Sequence, residues 1–215
     1  MLYWIIVTLS FSIFFAAVAA LIRFRKIDPA YYPFVLCTWL ASVNELTSFL
    51  LSYNGMSNLP TNNMYVLAEV LLITWQFKRW GYAFKQDLVY GAVAGICILA
   101  WVYETVRSAD SFGIHFYYRL FYAVVIIGVS LHINKRLTSH KESLLKSPVF
   151  LICTGYIIFF TFKILTDALW LYKIKSSVAF LYGLYLIMAI INCFVNLLFL
   201  IAVLWIPRKP HYISL

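Results

Sequence analysis

Charge is scarce in this chain. Of its 215 residues 12% are Asp, Glu, Lys or Arg, and the acids number 8 against 17 Lys and Arg. An ordinary soluble domain carries about 25% charged residues, so a water-facing surface of the usual kind is excluded. Cysteine occurs four times, at Cys37, Cys97, Cys153 and Cys193, always inside an apolar run and never as a C-x-x-C pair. That spacing excludes a disulfide framework and a zinc site and leaves small packing residues. Catalytic signatures are missing too: the chain has no G-x-S-x-G, no phosphate loop and no H-E-x-x-H. His115, His132, His140 and His211 fall at the ends of apolar runs or between them, which gives no facing pair for haem and no cluster for a membrane zinc hydrolase. The last apolar run has no lysine to carry a retinal Schiff base. No cofactor is expected, and no catalytic set can be named.

What is present is apolar surface: 64% hydrophobic residues and a mean hydropathy of +0.87. Runs of 18 or more apolar residues recur, the signature of membrane-spanning helices. The lipid bilayer is therefore the main partner. The net charge of +9 would suggest nucleic acid in a soluble protein; here the basic residues lie between spans and record membrane orientation, so nucleic acid is not expected.

Seven spans are predicted, at about 2–22, 31–53, 64–80, 88–106, 116–133, 148–172 and 178–206, forming one all-α transmembrane domain over 1–215. The N-terminal MLYWIIVTLS has no basic region before it, and Arg23, Arg25 and Lys26 follow its run, so it reads as a retained first span. The uncharged NGMSNLPTNN reads as an exposed turn. Alternating connections sort the basic residues. One side collects Arg23, Arg25, Lys26, Lys78, Arg79, Lys85, Lys135, Arg136, Lys141, Lys146, Arg208 and Lys209; the other has Arg107, Lys173 and Lys175. The positive-inside rule then places the N-terminus outside and the C-terminus in the cytoplasm of a multi-pass inner-membrane protein.

Polar residues inside the spans become the site candidates. A charge at mid-bilayer costs about 2.5–3.5 kcal/mol on insertion scales, so such residues face a partner or a wet cavity. Glu45, Glu69, Arg119, Lys163 and Asp167 are predicted in the outer half of the membrane on four spans, with Asn44 and Asn192 as neutral polar neighbours. Lys163 and Asp167 are four apart on one helix face. The acid follows the base, the weaker order for an intrahelical pair, which favours Lys163 reaching Glu45 or Glu69 and Asp167 reaching Arg119. A structural ion pair that pins helix packing is the plainer alternative. Glu45 and Glu69 are single carboxylates fit to carry a proton, or to stay neutral against Asn44. Glu104 and Arg107 read as boundary markers. Tyr31, Tyr32, Trp80, Trp101, Trp170 and Tyr172 read mostly as interfacial anchors, and Gly91 and Gly95 as internal helix contacts rather than a dimer face.

Pro33-Phe-Val-Leu-Cys-Thr38 in span two is echoed by Pro148-Val-Phe-Leu-Ile-Cys-Thr154 in span six, with a one-residue gap and unequal distances to the following acid. That would relate spans one to three to spans five to seven, a transporter arrangement. The segments NLPTNNMYVLAEVLLITWQFKRWG, SPVFLICTGYIIFFTFKILTDALWLYKIKSS and NLLFLIAVLWIPRK resemble a family of small bacterial seven-span proteins. The resemblance implies architecture and carries no activity. In architecture the chain is similar to the seven-span sensory modules of bacterial histidine kinases and to seven-span small-solute carriers with three-plus-one-plus-three repeats. The function expected is a sensory or signalling module whose outward cavity takes a small molecule or proton and whose cytoplasmic stretch Asn134–Ser147 meets a partner. The alternative is a secondary transporter or proton-coupled carrier.

Overall fold

A computed structural model of the chain describes residues 2–83, 86–107, 115–139, 144–171 and 178–207. Lys85, Lys141, Lys173, Lys175, Arg208, Lys209 and Tyr172, assigned above to connections or boundaries, lie outside the described residues. The described residues form helices and short 3-10 turns, with no strand among them. Six runs are long and apolar enough to cross a membrane: Trp4–Lys26, Pro29–Tyr53, Asp87–Arg107, Phe116–Thr138, Pro148–Leu169 and Tyr182–Trp205.

The first run is broken. Helix α1 (Leu2–Ser10) gives way to α2 (Ile13–Arg23) across Phe11 and Ser12. Around the break, Ser12 N–H donates to Leu9 O and Phe14 N–H to Phe11 O, the tighter three-residue pattern. Buried Ser12 there meets Asn196, whose Nδ2 donates to its hydroxyl at 2.8 Å.

Helices α3 (Tyr32–Tyr53) and α4 (Leu59–Trp80) follow. The segment NGMSNLPTNN is a turn only as far as Asn58; Pro60 lies in the first turn of α4, where its missing N–H costs nothing. Helix α4 spans 22 residues, yet it is not among the six apolar runs. Asn63, Glu69, Thr74 and Gln76 dilute its hydropathy, and all four are buried. Helices α5 (Asp87–Arg107), α6 (Phe116–Thr138), α7 (Pro148–Leu171) and α8 (Val178–Trp205) complete the set.

Six walls close into a ring: α2 packs on α3, α3 on α4, α4 on α6, α6 on α7, α7 on α8, and α8 on both α1 and α2. Helix α5 lies outside, against α4 and α6. Its outer position explains Gly91 and Gly95, where an added Cβ would meet nothing within 4 Å; they are not internal helix contacts. The close approach sits elsewhere, at Gly155 of α7, where a Cβ would lie 2.5 Å from Phe199 Cε1 of α8. Large apolar side chains such as Phe15, Val43, Leu99, Val124 and Leu204 face outward, as suits a protein whose solvent is hydrocarbon.

One end of the ring is basic and tied together. Arg23 donates to Val203 O at 2.7 Å and Ile206 O at 3.2 Å, satisfying terminal carbonyls of α8. Lys78 pairs with Asp87 at 2.5 Å, and Gln76 accepts from Phe34 N–H while donating to Ala30 O. At the other end, Glu104 accepts from the N–H groups of Tyr117 (3.1 Å) and Tyr118 (2.6 Å). Glu104 is thus no mere boundary marker: it is buried and caps α6 from α5. Nor is Trp101 simply an interfacial anchor, since its indole donates to Asn63 O of α4 at 3.0 Å.

Candidate functional site

The ring encloses a cavity of about 160 Å³. Each wall contributes a stripe at helical spacing. Helix α3 supplies Cys37, Thr38, Ala41, Asn44 and Glu45; α4 supplies Asn62, Tyr65 and Glu69; α7 supplies Tyr156, Phe159, Phe160 and Lys163; α8 supplies Asn192, Val195, Asn196 and Phe199. The polar lining runs to Asn62, in the first turn of α4 and away from the basic end. Toward the basic end the cavity meets an aromatic floor. Phe34 and Phe199 pack edge to face at 5.4 Å, Phe199 packs on Tyr156 at 5.5 Å, and Tyr156 packs on Phe77 at 6.2 Å. Phe34, Phe77 and Tyr156 are buried.

Glu69 and Lys163 face each other across the wall. Lys163 Nζ stands 3.9 Å from Glu69 Oε2, longer than a hydrogen-bonded ion pair. Their side chains are only 7% and 14% exposed respectively. Other groups complete each charge. Glu69 accepts from the Tyr65 hydroxyl at 2.7 Å and more distantly from Tyr122 at 3.4 Å. The Lys163 ammonium lies 5.5–5.8 Å from the ring centroids of Tyr122, Phe159 and Phe160, within cation–π range. Of the two carboxylates offered to Lys163 by the sequence, Glu69 is the one it reaches.

Arg119 and Asp167 do not line this cavity. They are buried behind it, within electrostatic range of Lys163 and of each other. The expected Asp167–Arg119 ion pair is not formed. Arg119 Nε and Nη2 and Asp167 Oδ2 have no hydrogen-bond partner among the described residues, and Tyr122 is within electrostatic range of both of them and of Glu69. Of the seven sequence candidates, Asn44, Glu45, Glu69, Lys163 and Asn192 come together and Arg119 and Asp167 form a second layer. Asn62, Tyr65, Tyr122 and Asn196 were missed. For the first two the signal was spacing: Asn62, Tyr65, Glu69 and Gln76 repeat at intervals of three, four and seven on α4, an intramembrane polar stripe.

His115 precedes α6 and is buried against Trp101, ring centroids 5.7 Å apart. Burial pushes its pKa below the ordinary histidine value; Glu104 opposes the shift and Arg119 adds to it.

Comparison with family models, with curated proteins and with solved structures gave no match.

Proposed function

We propose that this chain is a seven-span protein of a bacterial cytoplasmic membrane, N-terminus outside and C-terminus in the cytoplasm, that works as a sensory module. Counting α4 as a span rests on its length, about 33 Å at 1.5 Å per residue, against a hydrocarbon core of about 30 Å. It rests also on the packing of α4 against α3, α5 and α6, which shields its polar face from lipid. The orientation rests on the basic end.

The observation that carries the sensory reading is the stretched Glu69–Lys163 pair in the wall of a polar cavity. A proton or small molecule that binds either partner changes what holds α4 near α7. Such an occupant shifts the helix packing only by as much as it prefers one arrangement over the other. Helix α6 runs on to Thr138 and α7 begins at Pro148, so a change in α7 is presented to a partner protein along the cytoplasmic stretch Asn134–Ser147, which takes in the last turn of α6 and the residues that join it to α7.

A secondary transporter is the second reading, favoured by the order of the ring. The first three spans supply one arc and the last three the other, with α5 outside, as parallel three-helix repeats require. The polar lining at one end and the aromatic floor at the other also suit alternating access. Purified protein in liposomes under an imposed proton gradient separates the two. The sensory reading expects internal pH to hold in wild type and Glu45→Gln alike. Flux in wild type that disappears in Glu45→Gln would replace it with the carrier.

A further inference from the structure

We infer that the cavity binds a small organic cation, a primary ammonium of a few heavy atoms with a hydrogen-bonding tail, on the carboxylate of Glu45. The inference rests on the cavity being the functional site, and it names the class of occupant.

The charge balance of the lining comes first. Lys163 and Glu69 offset one another at 3.9 Å, and Lys163 is further accommodated by three aromatic faces. Glu45 is then the one remaining charged side chain among the described residues of the lining. It has no hydrogen bond or ion pair with any described residue. A carboxylate within an apolar span and without a protein partner is costly, and it either takes up a proton or pairs with a cation; a cation entering beside Glu45 supplies the second.

The neutral lining is the second observation. Asn44 and Asn192, on facing helices, also direct side chains to the cavity without a hydrogen bond to another described residue. Each amide offers both a donor and an acceptor, which suits the N–H groups of a primary ammonium and a hydroxyl or carbonyl on its tail. The rings of Tyr65, Tyr156 and Phe159 complete the wall, and aromatic faces favour cations over anions. Size sets the limit. About 160 Å³ is close to the roughly 150 Å³ engineered cavity that accepts benzene.

The test uses purified full-length protein and follows thermal unfolding with three probes of matched size. These are 2-aminoethanol, a cation at neutral pH; ethylene glycol, neutral; and glycolate, an anion. The expected result is a saturable stabilisation by 2-aminoethanol alone. Glu45→Gln should weaken it by about tenfold or more, the worth of a charge-assisted hydrogen bond. Ala41→Leu, which fills the cavity without removing the charge, should abolish it. Glu45→Gln is read only where its transition stays cooperative, and Glu45→Asp, which keeps the charge, should keep part of the response. Stabilisation by glycolate or ethylene glycol in place of 2-aminoethanol, lost in Ala41→Leu, would overturn the cation while leaving the cavity as the site. Stabilisation that survives Ala41→Leu, or none with any probe, would overturn both.

Discussion

Glu104 shows how one side chain in an apolar protein takes on several tasks. Its two oxygens accept the N–H groups of Tyr117 and Tyr118, groups that the first turn of α6 leaves without intrahelical partners. In a bilayer water does not replace them, so Glu104→Ala should cost about 2 kcal/mol, read as a lowered midpoint in denaturant titration of the solubilised protein. Glu104→Gln, which keeps one acceptor, should cost less. Beside it, His115 supplies a pH dependence whose sign follows from its burial. Its folded pKa lies below its unfolded value of 6.5, so the unfolded chain binds the proton more readily. Stability from this group is therefore complete above pH 6.5 and is lost as pH falls through that value toward the lower folded pKa. Replacing it, His115→Gln, should flatten that part of the stability–pH curve; an unchanged slope would show that other groups govern it.

At the scale of the helix, small residues divide by what they face. Gly155→Val would force a branched side chain into the Phe199 ring, which is held by Phe34 and Tyr156. Overpacking of this kind costs about 1–3 kcal/mol and here would tilt the cavity floor. Gly91→Ala and Gly95→Ala meet open space and should fall within about 0.5 kcal/mol of wild type; thermal unfolding of the three variants side by side checks the contrast. The helices themselves were largely legible. The span predicted over 31–53 is α3 at Tyr32–Tyr53, and the one over 116–133 is α6 at Phe116–Thr138, because an apolar run of span length admits few other structures. The break at Phe11–Ser12 was not legible, since the residue that Ser12 bonds there, Asn196, lies 184 residues away. The early start of α4 was missed because Asn and Pro signal both a turn and a helix N-terminus. Within the site, the intramembrane charges were visible by cost alone, and the Lys163–Glu69 contact was one of two offered. What sequence could not order was depth around the ring: Arg119 and Asp167 have the same chemistry as Glu45 and Lys163, and only packing sets them behind the wall.

The whole molecule is a ring with different ends. Side-chain and backbone bonds tie the helix termini at the basic end, as between Arg23 and α8 and between Gln76 and the start of α3. The aromatic floor seals the same side. Toward the opposite end the lining turns polar and reaches Asn62. On this account the cavity is wet, faces outward and stands apart from the lipid-facing surface. Single cysteines introduced into a variant with Cys37, Cys97, Cys153 and Cys193 replaced by serine test that most directly. Intact cells are treated with a membrane-impermeant maleimide, which needs water to form the reactive thiolate. Asn192→Cys should be labelled from outside although it lies within an apolar run, the lipid-facing Leu197→Cys should not be labelled, and Ser139→Cys at the basic end should be labelled only after permeabilisation. Labelling of Ser139→Cys but not Asn192→Cys in intact cells would contradict both the orientation and the outward cavity.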